Sequence, residues 1–269
     1  MDKKIITLTS DFGRKEFYSA IVKGKILSVM PDIAIVDANH NVERFNIIDA
    51  SFIVKNFYRF YPSGTIHLIF VESDSANAKP SLMRMEDQYF ICADNGILAL
   101  IAGNTPHELF YITNTLEFES TFETTISAFI TVSEQIYKED FETLDKYITP
   151  IKRLNKNYNY STPAHNSNEM HGIIYFIDNY ENAISNISKK EFYDFVGNDR
   201  YKIFVNSNTN VIYEVSEDYA DVETVTSNKE SSLFAVFGIH GYLEIGMYHS
   251  IAGSLLGLKP GSTIIIKKQ

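Results

Sequence analysis

Ile5-Ile6-Thr7-Leu8-Thr9-Ser10-Asp11-Phe12-Gly13 lies almost at the start of the chain, and its reading decides the fold. An apolar-rich run breaks at a carboxylate and a glycine. Residues 15–30 then carry Tyr18, Ile21, Val22, Ile26, Leu27 and Met30 along one side of a helix that Pro31 ends. Strand, turn and helix in this order open an α/β sheet. Such sheets bind small molecules at the carboxyl ends of their strands. Asp11 stands at that end and is the centre of the candidate site.

The same pattern recurs outward from this stretch. Residues 33–36 read as a short apolar strand ending at Asp37, and residues 47–61 as an amphipathic helix. After the turn Pro62-Ser63-Gly64, residues 65–71 read as a strand followed by Glu72. Strands alternating with helices predict a mostly parallel sheet flanked by helices, which gathers strand-end acids on one edge. Residues 82–85 and 89–93 form a hairpin pattern around Glu86-Asp87, and Asp94-Asn95-Gly96 a turn capping a helix over 97–102. Residues 108–112 read as a strand, and 127–136 and 139–147 as helices. From Lys152 to Met170 Asn, Ser, Thr and Pro displace the apolar residues. Beyond, residues 173–177, 183–187, 202–205, 211–215, 233–237, 242–245 and 263–266 are short strands separated by turns, with a lone helix over 250–256. That spacing predicts a small barrel or sandwich. The expected organisation is an N-terminal α/β domain (1–151), a polar linker (152–170) and a C-terminal β domain (171–269).

The 269 residues are 45% hydrophobic and carry a net charge of −10, a globular composition. The charge argues against a nucleic-acid partner held through phosphates and against an anionic membrane surface. No apolar run is long enough to span a membrane, and no apolar stretch of signal-peptide type follows Lys3-Lys4, so a cytoplasmic location is expected. A single cysteine, Cys92 in an apolar run, excludes an intrachain disulfide and reads as a small buried residue.

Several local sequences, in order along nearly the whole chain, resemble one family. They are Thr9-Ser10-Asp11-Phe12-Gly13, Lys23-Gly24, Ile35-Val36-Asp37 with His40, Pro62-Ser63-Gly64-Thr65-Ile66-His67 and Ala93-Asp94-Asn95-Gly96-Ile97-Leu98. In the second half they are the run from Gly172 to Ile177 with Asp178, Asn182 and Asn186-Ile187, then Leu243-Glu244-Ile245 with Ala252, Leu255-Leu256-Gly257 and Gly261. Together these are similar to the S-adenosylmethionine (SAM) hydroxide adenosyltransferases, the family that also holds the fluorinating and chlorinating enzymes. The resemblance implies a C-terminal β-barrel and a homotrimer. It places SAM, as substrate, between one subunit's N-domain and its neighbour's C-domain, with attack of water or halide at ribose C5′ and no metal or other cofactor. By position, Asp11 would accept the ribose hydroxyls, Asp178 and Asn182 would hold the methionine amino group, and Phe45 would pack on the ligand. A carboxylate suits both a vicinal diol and an ammonium. The residues themselves leave other readings open: Asp11 as a helix cap, Asp178 and Asn182 as turn formers, Phe45 as core. Asp94-Asn95-Gly96 is explained by its turn, and His40 and His67 read as satisfied structural groups.

The departures from the family fall on the chemistry. Its water-using members carry an Asp-Arg-His set. Here the Asp loop reads Val71-Glu72-Ser73-Asp74-Ser75-Ala76, Lys79 stands where an Arg pair is expected, and Glu123 occupies the His position. Lysine supplies the charge without the planar fork. Ser75 is retained as a ligand-binding candidate; His240 could replace a lost contact to the methionine carboxylate, and Tyr248 replaces the usual Asn of the adenine loop. Two glutamates and one lysine disfavour a halide nucleophile. The leading expectation is SAM hydrolysis to adenosine and L-methionine, with Glu72, Lys79 and Glu123 around the nucleophile. The alternatives are a SAM- or adenosine-binding protein of impaired turnover, and the same fold with a different ligand.

Overall fold

The computed structural model describes residues 4–13, 15, 17–73, 79–113, 121–153, 163–222 and 232–269. Two units divide between Tyr158 and Asn159. In the first, β1 (Ile5–Ser10), α1 (Tyr18–Val29), β2 (Ala34–Asn39), α2 (Ile47–Phe57), β3 (Ile66–Phe70), β4 (Pro80–Met85), β5 (Gln88–Ala93), α3 (Ile97–Ala102), β6 (Glu108–Ile112), α4 (Phe122–Lys138), α5 (Phe141–Leu144) and β7 (Ile148–Pro150) follow in turn. The strands form a sheet in the order β2-β1-β3-β5-β4-β6-β7. It is parallel from β2 to β5 and antiparallel beyond, because the tight hairpin at Glu86-Asp87 turns β5 back on β4. Both turn residues have positive φ (49° and 56°), the twist that two-residue hairpins favour.

Alternation in β3 shows how the sheet is covered. Ile66, Leu68 and Phe70 face a core shared with Val22 and Ile26 of α1 and Phe129 and Val132 of α4. Ile69 and Val71 face the other core, with Val54 of α2 and Leu98 and Ile101 of α3. A strand buried on both faces reads as an apolar-rich run, and β1 and β3 do so although Thr7, Thr9, Ser10 and His67 are buried within them.

Among the expected boundaries that move, three bear on the site. The first helix starts at Tyr18, not Lys15; its N-cap is Phe17, with no side-chain capping bond, so Asp11 is not its cap. Strand β2 runs through Asp37 to Asn39 instead of stopping before it. Helix α4 begins at Phe122, five residues before the expected Ser127, because Thr121 and Thr124 form a reciprocal capping box. That puts Glu123 in a helical first turn.

The second unit contains β8 (Ala164–His165), β9 (Glu169–Ile177), β10 (Ala183–Ser188), α6 (Lys189–Val196), β11 (Tyr201–Val205), β12 (Val211–Ile212), β13 (Leu233–Phe237), β14 (Tyr242–Met247), α7 (Ala252–Leu256) and β15 (Thr263–Lys268). The order is β12-β11-β15-β9-β10-β14-β13, every named neighbour antiparallel, with β8 added to β9. Ser216 bridges to Val236 of β13, so the sheet is a nearly closed barrel. Ile174, Ile203, Val205, Leu243, Ile245, Ile264 and Ile266 fill it. The unexpected α6 is capped by Ser188 and Glu191 and buries Phe192, Phe195 and Val196.

Candidate functional site

In the first unit the site is built at the carboxyl edge of the parallel strands. Ser10 of β1 stands opposite Phe70 of β3, and the Asp11 N–H donates to the Phe70 carbonyl at 3.3 Å. Asp11 and Glu72 therefore leave neighbouring strands at the same edge. The Asp11 Oδ2 accepts the Phe45 N–H at 3.0 Å. Phe45 has φ 61° and is 67% exposed. A bulky residue in the left-handed region is strained and needs support. Here support comes from Asp11 on one side and, on the other, from Asn46, whose side chain caps α2 through the Ile48 and Asp49 N–H groups. The Phe12 ring meets Tyr18, Phe70 and Phe122 at 5.6, 5.7 and 5.6 Å, an aromatic wall beside Asp11.

Glu72 also lies at positive φ (47°). Its peptide is tied down by Asn95, whose Nδ2 donates to the Val71 and Glu72 carbonyls at 2.9 and 3.3 Å. Asp94 joins the same cluster. Its N–H donates to the Lys79 carbonyl at 2.8 Å, and its Oδ2 accepts the Tyr111 hydroxyl at 2.9 Å. Lys79 Nζ sits 5.2 Å from the centre of the Tyr111 ring. Burial, and then the Asp94 carboxylate, push the Tyr111 phenol upward, so it remains a donor. Asp94 and Asn95 thus link Lys79 to Glu72. Their positioning role, and Tyr111, escaped sequence reading; the Asp94-Asn95-Gly96 motif was the available signal, while nothing in the sequence pairs Tyr111 with Asp94. Glu123 is 81% exposed at the start of α4 and pairs with Lys25 of α1 at 3.3 Å. Ser75 lies outside the described residues.

In the second unit, Asp178 closes the turn between β9 and β10. Its Oδ1 accepts the Tyr180 and Asn182 N–H groups at 2.9 and 2.8 Å, and its Oδ2 accepts Asn182 Nδ2 at 3.1 Å. The two side chains meet, with the carboxylate already engaged in its own turn. His240 is mostly buried: Nδ1 accepts the Tyr242 N–H at 3.0 Å, and Nε2 lies 3.2 Å from Glu244 Oε2. The other Glu244 oxygen accepts the Tyr219 hydroxyl. Burial and this carboxylate push the Tyr219 phenol upward. Glu244, as the partner of His240, and Tyr219, as the partner of Glu244, were not foreseen. The Tyr248 ring packs with Val222, Phe234 and Val236 and meets His249 edge-on at 4.3 Å. Among the described residues, no group of three or more His, Cys, Asp or Glu is arranged to hold a metal.

Comparison with known proteins follows the same division. Residues 6–143 match the SAM hydroxide adenosyltransferase N-terminal domain and residues 172–265 the C-terminal domain. A curated (R)-S-adenosyl-L-methionine hydrolase from Methanocaldococcus jannaschii is 28% identical over 104 residues, 36% of this chain and 39% of the relative. A fluorinase from Actinoplanes sp. is 34% identical over 62 residues, 23% of this chain and 21% of the relative. The matched stretches thus span less than half the length of either. An uncharacterised conserved protein from Thermotoga maritima shares the fold with a TM-score of 0.80 at 23% identity, over 97% of this chain and 99% of that one. A conserved hypothetical protein from Thermus thermophilus does so at 0.72 and 18%, over 99% and 100%. With both its units matched in order, the chain belongs to the SAM hydroxide adenosyltransferase family.

Proposed function

We propose that this protein hydrolyses SAM at the ribose C5′, giving adenosine and L-methionine. The observation that carries the reading is Asp11: a carboxylate at the strand edge, braced by the Phe45 N–H through one oxygen, beside an exposed aromatic ring. A fixed carboxylate of this kind takes two donors from a vicinal diol, the ribose 2′- and 3′-hydroxyls. Phe45 packs on the nucleoside. Asp178 and Asn182 take the methionine ammonium, His240 stands near its carboxylate and Tyr248 near the adenine. The assembly is a homotrimer.

In the reaction water attacks C5′ in line with the C–S bond. The bonding pair leaves with sulfur, which becomes a neutral thioether, and the water's extra proton passes to a base. Glu72 is that base, its peptide held by Asn95. Lys79 balances its charge, and Glu123 completes the polar rim. Purified protein incubated with SAM should release adenosine and methionine in equal amounts, followed by chromatography. Light scattering should give three times the chain mass.

One observation favours a second reading, a SAM-binding protein without turnover. Glu123, at the family's His position, is solvent-exposed and engaged by Lys25. Binding of SAM by calorimetry with no adenosine released would establish that reading against the first.

A further inference from the structure

Four side chains that the proposed reaction does not use run in one line away from the Asp11 loop. Lys23 Nζ donates to Asp37 Oδ2 at 2.6 Å, His40 Nε2 lies 3.1 Å from Asp37 Oδ1, and His40 Nδ1 lies 2.7 Å from Ser10 Oγ. Donor and acceptor roles follow from the two ends. Burial raises the Asp37 carboxyl, but the Lys23 and His40 hydrogen bonds outweigh it and keep the group below its ordinary range, so it is an acceptor only. Nε2 of His40 therefore donates to Asp37, and in the neutral ring Nδ1 accepts the Ser10 hydroxyl. Ser10 Oγ in turn accepts the Phe12 N–H at 3.4 Å.

Serine, histidine and aspartate in a line suggest a nucleophile, but the arrangement excludes it. Ser10 is fully buried. The ring is also turned about: serine meets Nδ1 and the carboxylate meets Nε2, the reverse of a Ser-His-Asp triad. What the line does is brace. Backbone bonds repeat the tie, with the Gly13 N–H donating to the His40 carbonyl at 2.7 Å and the Val42 N–H to the Ser10 carbonyl at 3.3 Å. Asp11 sits between Ser10 and Phe12, both held by this line, and its own carboxylate is met by Phe45, a few residues beyond His40.

We propose that His40 is a positioning residue for Asp11: acting through Ser10, it aims the Asp11 carboxylate at the ribose diol. The inference rests on the ribose role given to Asp11 above. It predicts that His40 acts on hydroxyl recognition and not on nucleoside binding as a whole.

The test compares adenosine with 2′,3′-dideoxyadenosine by calorimetry on the full chain. Wild type should prefer adenosine by about tenfold or more, the effect of hydrogen bonds to a charged group. His40→Ala should lose most of that preference by weakening adenosine, with the dideoxy affinity unchanged. Ser10→Ala should do the same. His40→Asn, whose amide oxygen can stand in for Nδ1, should keep most of the preference. Full preference retained in both alanine variants overturns the positioning role. So does equal weakening of both nucleosides in variants whose circular dichroism is native, because that is a general packing effect. Should His40→Ala fail to fold, Ser10→Ala and His40→Asn decide alone. Equal or absent binding of the two nucleosides by wild type sinks the ribose role of Asp11 itself, and the His40 inference with it.

Discussion

At the scale of single residues, the two central histidines separate by environment. His67 is fully buried between Thr7 and Gln88: Nδ1 meets Thr7 Oγ1 at 2.8 Å, Nε2 meets Gln88 Oε1 at 2.6 Å, and the ring stacks on Phe90 at 4.8 Å. Burial lowers its pKa to about 4 from the ordinary 6.5. The folded state therefore prefers the neutral ring, and only the unfolded chain binds a proton between those values. Stability from this group is intact above pH 6.5 and falls as pH drops toward 4, by roughly 3 kcal/mol in all. Urea titrations at pH 7.5 and pH 4.5 should show that loss, and His67→Gln should flatten it; an unchanged pH slope in the variant would refute the assignment. Asp11 makes a different prediction. Asp11→Asn removes the charge from the diol contact and should weaken SAM binding about 10- to 100-fold, read as Kd. An unaltered Kd would mean that Asp11 does not touch the ligand.

At the scale of elements, the strands and helices of the first unit were largely legible because burial leaves a simple imprint. The runs at β1 and β3 are apolar-rich and buried on both faces, and α3 and β6 end where the sequence pattern ends. Less legible was what depends on capping and pairing. Thr121 looks like any loop threonine, yet its box with Thr124 carries α4 back to Phe122 and moves Glu123 onto a helix. The site splits the same way. Asp11 and the turn of Asp178 and Asn182 follow from motif chemistry, whereas Tyr111 joins through a contact between elements apart in sequence and Glu244 through the short β13–β14 turn that brings it to His240. Gly246 is an instance the sequence hides. A Cβ there would meet the Phe234 ring and lie 2.6 Å from Asn182 Oδ1. Gly246→Ala must therefore push aside the Phe234 ring and the Asn182 amide, at a cost of about 1–3 kcal/mol. It should also weaken methionine binding if Asn182 holds the amine. A neutral result in both thermal melting and binding would show that the turn tolerates the shift.

At the scale of the whole molecule, the proposed function assigns binding and attack to different residues, and ligand linkage can separate them. A ligand that binds only the folded state stabilises it by about 2.7 kcal/mol at a concentration one hundred times Kd. For a chain of this size that corresponds to a Tm rise on the order of 5–10 °C. Wild type should show this rise with SAM, measured early enough that little is consumed. Asp11→Ala should lose most of it, because the ribose grip is gone. Glu72→Gln should keep it, because a glutamine still fits at the Asn95-held peptide but cannot take the proton of the attacking water. Adenosine release by Glu72→Gln should fall about 100-fold or more, the scale of a lost general base. Glu123→Gln should leave the Tm rise intact and lower the rate less, since its carboxylate is exposed and shared with Lys25. If Glu123→Gln is instead the slower of the two, the base lies at the start of α4 and Glu72 is only its neighbour. If both glutamine variants turn over SAM at the wild-type rate, neither carboxylate takes the proton, and the attack needs only the positioning and desolvation that the site supplies.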